Sequence, residues 1–130
     1  QNITKKLIEI WNKYHNAFHK LAQDKKIKRP FIPNSCSHNA HMYYLLFKNI
    51  KQRMYFIESM KLKGVDCYFH YIPLHSSPGG CEYGRIHGDI SNTNDLSDRL
   101  VRLPLWVGLD VDYVINQVLD VISTFKEDNF

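Results

Sequence analysis

Residues 65–72 of this 130-residue chain read Val-Asp-Cys-Tyr-Phe-His-Tyr-Ile, and residues 73–78, Pro-Leu-His-Ser-Ser-Pro, follow directly. Aromatic and β-branched residues predominate in the first stretch, which predicts a strand that is buried on at least one face. Residues 40–47, Ala-His-Met-Tyr-Tyr-Leu-Leu-Phe, have the same character and predict an earlier strand. Between the two, residues 50–63 carry apolar side chains at helical spacing and stop before Gly64, as expected at a helix C-terminus.

The flanking segments complete the pattern. Residues 3–22 carry one apolar stripe at steps of three and four, which predicts an amphipathic helix. Residues 73–92 predict a long polar loop, and Thr93 or Asn94 can cap a short helix that runs to Arg99. Residues 100–106 predict a third strand, which Pro104 places at a sheet edge, and Asp110 caps a last apolar-faced helix. The sequence therefore predicts one α+β domain over residues 1–130, with a three-stranded, mostly antiparallel sheet and helices on one face.

Composition narrows the class of protein. With 44% hydrophobic and 23% charged residues the chain is an ordinary globular one. The net charge of +4 and the lack of a basic-aromatic platform argue against a nucleic-acid binder. We find no apolar run long enough for a bilayer and no signal peptide, so we expect no membrane association. Three cysteines at irregular spacing fit a reducing cytoplasm better than a disulfide framework, so we expect a cytoplasmic protein.

The cysteines give only weak support for a zinc site or for a nucleophilic thiol. Cys36, His38 and His41 supply three ligands, whereas a structural zinc site needs four, so Cys67 and His70 would have to complete it through the fold. A cysteine nucleophile has no local signature here, and the three cysteines are expected to be buried packing residues. We therefore predict no metal site.

The strand end at His70, Tyr71 and His75 is the most informative cluster of polar residues. Polar groups at a strand end that faces a loop are a common place for small-molecule sites. The same groups could equally anchor the loop through bonds to the backbone, and composition alone leaves both interpretations open.

Three blocks, taken in order, resemble the DegT/DnrJ family of sugar aminotransferases. They are residues 39–43 (Asn-Ala-His-Met-Tyr), 69–78 (Phe-His-Tyr-Ile-Pro-Leu-His-Ser-Ser-Pro) and 96–105 (Leu-Ser-Asp-Arg-Leu-Val-Arg-Leu-Pro-Leu). Together with the lead-in at 32–36, they look most like the dTDP-4-amino-4,6-dideoxygalactose transaminases. With their flanking helices they cover essentially the whole chain, and the resemblance is to the C-terminal portion of such enzymes.

The resemblance implies the small C-terminal domain of a fold-type-I transferase that depends on pyridoxal 5′-phosphate. Such an enzyme moves an amino group from glutamate to a 4-keto-6-deoxy sugar linked to dTDP, for cell-surface polysaccharide synthesis, and acts as a homodimer. The Schiff-base lysine belongs to a larger N-terminal domain that this chain lacks. We therefore expect the fragment alone to be inactive and to bind no cofactor. Its first helix would pack on the missing domain, so in isolation its apolar stripe should be exposed and the fragment should self-associate.

The resemblance also implies roles for individual residues. His70, Tyr71 and His75 are expected to line the sugar end of the cleft, since imidazole and phenol groups supply directional hydrogen bonds. Asn39 and His41 are the second choice, although His41 could equally be a buried core histidine. Candidate phosphate ligands are Arg99 and Arg102, with a helix-surface ion pair as the stronger alternative for them.

A second function of another class stays open. A stand-alone binding or dimerisation module could keep this fold without the chemistry. The gene sequence upstream of Gln1 discriminates between the two, because only the aminotransferase needs a large cofactor-binding domain there.

Overall fold

A computed structural model describes residues 2–125 of the chain. The helices are α1 (Ile3–Ala17), α2 (His19–Gln23), α3 (Ile50–Leu62), α4 (Pro78–Tyr83), α5 (Ser91–Arg99) and α6 (Val111–Ser123). The strands are β1 (Tyr43–Leu46), β2 (Tyr68–Phe69) and β3 (Leu100–Leu103), and a 3₁₀ turn covers Leu74–Ser76. Within residues 2–125, none of the helices has the length and apolar character needed to cross a bilayer.

The three strands form one sheet in the order β1-β3-β2. Both strand pairs are antiparallel, as predicted. The predicted edge position of the third strand is wrong, because β3 lies in the centre. Its ladder ends at Leu103, one residue before Pro104, so the proline's missing N–H costs no ladder hydrogen bond. Tyr43 is opposite Leu103 in the register, and Leu45 is opposite Val101.

One face of the sheet carries the core, as predicted. The side chains on this face are buried, namely Tyr43, Leu45, Val101 and Leu103. Their neighbours on the opposite face, Tyr44 and Arg102, are only half-buried. Helices α1, α3 and α6 supply the remaining buried residues, among them Trp11, Tyr14, Phe18, Phe56, Met60, Val114, Val118 and Ile122. The opposite face of the sheet is therefore left open.

The first helix differs from its prediction in two ways. It breaks at Phe18 into α1 and α2 instead of running unbroken to residue 22. Its apolar stripe was expected to be exposed, and this is wrong, because Trp11 and Tyr14 are buried against the domain's own core. Only Ile3 is exposed among the stripe residues, which are Ile3, Leu7, Ile10, Trp11, Tyr14, Phe18 and Leu21. The core of this same chain thus buries the apolar stripe of the first helix.

The predicted loop at 73–92 contains more structure than expected. It holds the 3₁₀ turn and α4, and α5 already begins at Ser91. Neither Thr93 nor Asn94 caps α5, because the helix begins at Ser91 and both residues lie inside it. Asp89, just before the helix, accepts bonds of 2.9 Å from the backbone N–H and the hydroxyl of Ser91. These two bonds hold the pKa of Asp89 below its ordinary value. The outer strands β1 and β2 are both shorter than the strands predicted at residues 40–47 and 65–72.

Two predicted helix ends are confirmed. Gly64 follows α3 with a φ of +72°, a left-handed conformation in which glycine has no Cβ penalty. Asp110 caps α6, since its carboxylate accepts a 3.0 Å bond from the Tyr113 N–H.

Replacing Tyr14 by Phe tests the buried link between α1 and the residue that follows β3. The Tyr14 hydroxyl donates to the Pro104 carbonyl over 2.8 Å, and the side chain is fully buried. Tyr14→Phe leaves that carbonyl without its partner, so the free energy of unfolding should fall by about 1–3 kcal/mol in urea denaturation. The matched control is Tyr113→Phe. The hydroxyl of Tyr113 donates to the Lys63 carbonyl over 2.8 Å on the exposed surface, where a water molecule can replace it as the donor. Equal losses in the two variants would contradict the prediction.

Candidate functional site

The open face of the sheet carries a group of polar and aromatic side chains. His41 and Met42 precede β1, Tyr68 is in β2, and Arg102 is in β3 directly opposite Tyr68. They line a cavity of about 410 Å³, here called the sheet groove, together with Asp66 and residues 103–106. Two predicted candidates, His41 and Arg102, therefore share one groove, although 61 positions separate them.

His70 lies beside this groove, directly after β2. Its ring centroid is 4.5 Å from that of Tyr71, and its Nδ1 atom is buried with no hydrogen-bond partner among the described residues. Burial lowers the pKa of His70, and the charges of Arg102 and His41 act in the same direction. The surroundings of His70 therefore favour the neutral imidazole, and its Nδ1 atom is shielded from solvent.

Arg102 supplies positive charge next to this imidazole. Its guanidinium lies 5.3 Å from the centre of the Tyr71 ring, within the range of a cation–π contact. Its Nε atom is buried and makes no hydrogen bond within residues 2–125. Because Arg102 also lines the sheet groove, its guanidinium can bind an anionic oxygen that enters there.

Asn39 and His41 form a small local unit. The Asn39 side-chain oxygen accepts a 3.2 Å bond from the His41 N–H and lies 3.1 Å from its Nδ1 atom. Ala40 between them has a φ of +51°, an uncommon conformation for a residue with a Cβ. His41 is exposed, so the alternative of a buried core histidine is wrong.

His75 lies in a different cavity from the sheet groove. Its Nε2 atom is 2.8 Å from the side-chain oxygen of Asn94, on α5. With residues 79–81 and 83–86 and Leu74 it lines a cavity of about 720 Å³, here called the loop groove. The predicted residues are thus spread over three cavities. His41 and Arg102 line the sheet groove with His70 beside it, and His75 lines the loop groove. Tyr71 lines a third cavity of about 400 Å³, together with Asn94 and Arg53.

Arg99 is engaged in contacts within the domain. Its guanidinium pairs with Asp95 one helical turn earlier and donates to the Phe47 carbonyl over 3.2 Å. The predicted helix-surface ion pair is confirmed for Arg99. The described residues show no such pair for Arg102, which leaves Arg102 the more accessible of the two guanidinium groups for a phosphate.

The cysteines do not behave as predicted. Cys36 and Cys81 are exposed and only Cys67 is buried, so the expectation of three buried packing residues is wrong for two of them. Burial, with the nearby Asp66 charge, raises the pKa of Cys67 to about 12, so its thiolate is not populated at neutral pH. Residues 2–125 contain no group of three or more His, Cys, Asp and Glu that could hold a metal ion.

Sequence reasoning missed two residues near the candidates. Asn94 was considered only as a helix cap, yet its side chain bonds to His75. Arg53 on α3 lies 5.6 Å over the Phe69 ring and donates to the Ser97 carbonyl, so it joins α3, β2 and α5. Neither residue carries a local signal, because both partners are distant in sequence.

Comparison with known proteins gives consistent results. The profile of the DegT/DnrJ/EryC1/StrS aminotransferase family matches residues 1–122. An uncharacterized protein of Methanocaldococcus jannaschii is 31% identical over 124 residues, which are 92% of this chain and 30% of that protein. Among solved structures, PseC of Helicobacter pylori, an aminotransferase of pseudoaminic acid biosynthesis, aligns with a TM-score of 0.80 at 17% identity, over 95% of this chain and 33% of its own.

Another similar structure is the PLP form of the putative sugar aminotransferase Spr1654 from Streptococcus pneumoniae. It aligns with a TM-score of 0.73 at 19% identity, and the alignment covers 93% of this chain and 31% of the Spr1654 chain. At these identities the two structures show that the fold is shared. The chain spans about a third of the length of these relatives.

Proposed function

The chain belongs to the DegT/DnrJ/EryC1/StrS aminotransferase family, and we propose that it is the C-terminal domain of a transaminase acting on a nucleotide-linked sugar. The whole enzyme would depend on pyridoxal 5′-phosphate and move an amino group from glutamate to a dTDP-linked 4-keto-6-deoxyhexose. The order of the three sequence blocks supports this substrate. PseC and Spr1654, which share the fold, are described as an aminotransferase of pseudoaminic acid biosynthesis and a putative sugar aminotransferase in its PLP form.

The observation that carries the proposal is the polar group on the open sheet face. A nucleotide-linked sugar presents hydroxyl groups and a diphosphate, and it needs directional partners for the first and cationic partners for the second. Arg102 lines the sheet groove with His41 and offers a guanidinium to a phosphate, and the imidazole of His70, whose pKa burial lowers, lies beside it. Tyr71 adds a phenol that is mostly exposed.

These residues would bind and orient the sugar. His70, Asn39 and His41 would contact hydroxyl groups at the sheet groove, and Tyr71 and His75 would do so from the other two cavities. Arg102 would face a phosphate more readily than Arg99. The groups that exchange protons with the reacting carbon are assigned to the rest of the enzyme. No side chain of this chain is assigned a catalytic role.

We expect that the described residues do not form a cofactor site of their own. Pyridoxal phosphate supplies the electron sink in transamination and is held through a lysine. None of the described side chains that line the sheet groove or the loop groove is a lysine. The chain thus does not fit the cofactor alone, and we expect the isolated domain to be inactive and to bind none.

The proposal extends to the setting of the enzyme. We expect a cytoplasmic homodimer that takes part in cell-surface polysaccharide synthesis, with glutamate and the nucleotide sugar as its small-molecule partners. These expectations derive from the family resemblance, and light scattering on the full gene product tests the dimer directly.

The decisive experiment uses the full product of the gene that encodes this chain. Its absorbance spectrum is recorded with added pyridoxal phosphate, then with glutamate, then with dTDP-4-keto-6-deoxyglucose. We expect a lysine-bound cofactor band that glutamate converts to the aminated form and that the keto sugar restores. The control is the 130-residue chain alone, which should give no such band. If the full product also gives none, the proposal fails and the non-catalytic binding module takes its place.

A further inference from the structure

His75 is held in one position by its backbone and by its side chain. It is the middle residue of the Leu74–Ser76 turn, where the Ser76 N–H donates to the Pro73 carbonyl over 3.0 Å. The Ser77 hydroxyl donates to the Leu74 carbonyl over 2.7 Å and accepts from the Gly80 N–H over 3.0 Å. The Cys81 thiol donates to the His75 carbonyl itself. The backbone of His75 is therefore fixed on both sides.

Asn94 fixes the imidazole ring from a separate element. Its side-chain oxygen, which can only accept, lies 2.8 Å from Nε2 of His75. In this arrangement Nε2 carries a proton, and in the neutral ring Nδ1 is then an acceptor. The described residues offer no hydrogen-bond partner to that Nδ1 atom.

The support for Asn94 is itself built into the fold. The Asn94 N–H donates to the Ile90 carbonyl, and its own carbonyl accepts from the Ser97 hydroxyl over 2.9 Å. Arg53 of α3 donates to the Ser97 carbonyl over 3.0 Å, which ties this turn of α5 to the core helix. Asn94 is thus anchored well enough to hold the ring of His75.

We propose that Asn94 is a positioning residue that holds His75 with Nε2 protonated, so that Nδ1 accepts a hydrogen bond from a sugar hydroxyl in the loop groove. The inference rests on the proposed function, because the sugar is the ligand that the function supplies. It deepens that function by assigning His75 the acceptor role and by naming the residue that imposes it.

The test compares three variants of the full gene product. Asn94→Leu removes the acceptor, and Asn94→Gln keeps a neutral amide acceptor at the same helix position. The matched control is Asn92→Leu, an exposed residue of the same helix. The KM for the keto sugar should rise about tenfold in Asn94→Leu, as expected for one lost hydrogen bond, and stay near the wild-type value in the other two. The half-reaction with glutamate should be unchanged in all three.

Nitrogen-15 NMR of the histidine rings gives a readout that does not depend on activity. We expect His75 to show one tautomer in the wild type, in Asn94→Gln and in Asn92→Leu, and a mixture in Asn94→Leu. Slowing of both half-reactions together, or an Asn94→Leu variant that behaves like Asn92→Leu, would overturn the positioning role. If the wild type used no nucleotide sugar, the proposed function and the sugar hydroxyl would fall, and the NMR comparison would still decide whether Asn94 positions His75.

Discussion

Replacing Phe56 by Ala is expected to lower the free energy of unfolding by about 3–5 kcal/mol, which is a large part of the stability of a domain this size. Phe56 lies on α3 and is fully buried. Its ring centroid is 4.7 Å from that of Phe47, which follows β1, so the contact joins the helix layer to the sheet. Alanine removes most of the buried ring and leaves a cavity that the surrounding aromatic groups cannot fully close.

Leu62 on the same helix provides the matched control. Its side chain is 90% exposed, so Leu62→Ala should change stability by no more than about 0.5 kcal/mol. Chemical denaturation, followed by circular dichroism, measures both variants. A Phe56→Ala variant with the stability of Leu62→Ala would mean that α3 does not pack on the sheet as the structure shows.

The helical and strand segments could be predicted because their signals are local. Helix α6 was identified from its capping Asp110 and its apolar spacing, and α3 from its periodicity and Gly64. The central position of β3 could not be predicted, because strand order depends on pairing between distant segments. Pro104 argued for an edge only because the sequence does not show that the ladder ends one residue earlier.

In the candidate site, too, the residues with a local sequence signal could be predicted, whereas the contacts between distant segments could not. His70 and Tyr71 could be identified because they stand at a strand end before a polar segment. The contact between His75 and Asn94 could not, since it joins residues 19 positions apart through the packing of α5. The exposure of Cys36 and Cys81 also depends on tertiary structure, and the frequent burial of free cysteine was a misleading guide.

Replacing Gly80 by Ala is expected to disrupt the loop groove, whereas Gly79→Ala should leave it intact. A Cβ atom on Gly80 would lie 1.6 Å from the Leu74 carbonyl oxygen, far inside any allowed contact, and that oxygen belongs to backbone. A Cβ atom on Gly79 would meet no heavy atom within 4 Å beyond its chain neighbours and the backbone of its own helix. The two variants add the same methyl group to neighbouring positions of α4, so helix propensity cannot account for a difference between them.

The expected consequence is local, because α4 and the 3₁₀ turn contribute no buried residue to the core. The Leu74 carbonyl must move away, which breaks its bond from the Ser77 hydroxyl and displaces the neighbouring His75. Hydrogen exchange should therefore speed up at the Cys81 and Gly84 amides, which bond to Ser77 and Gly80, while amides of α6 keep their protection. In the full gene product the KM for the nucleotide sugar should rise at least about tenfold in Gly80→Ala and by less than about twofold in Gly79→Ala. Faster exchange with an unchanged KM would show that the loop groove does not bind the sugar, which would leave the sheet groove and the cavity at Tyr71 as its candidate sites.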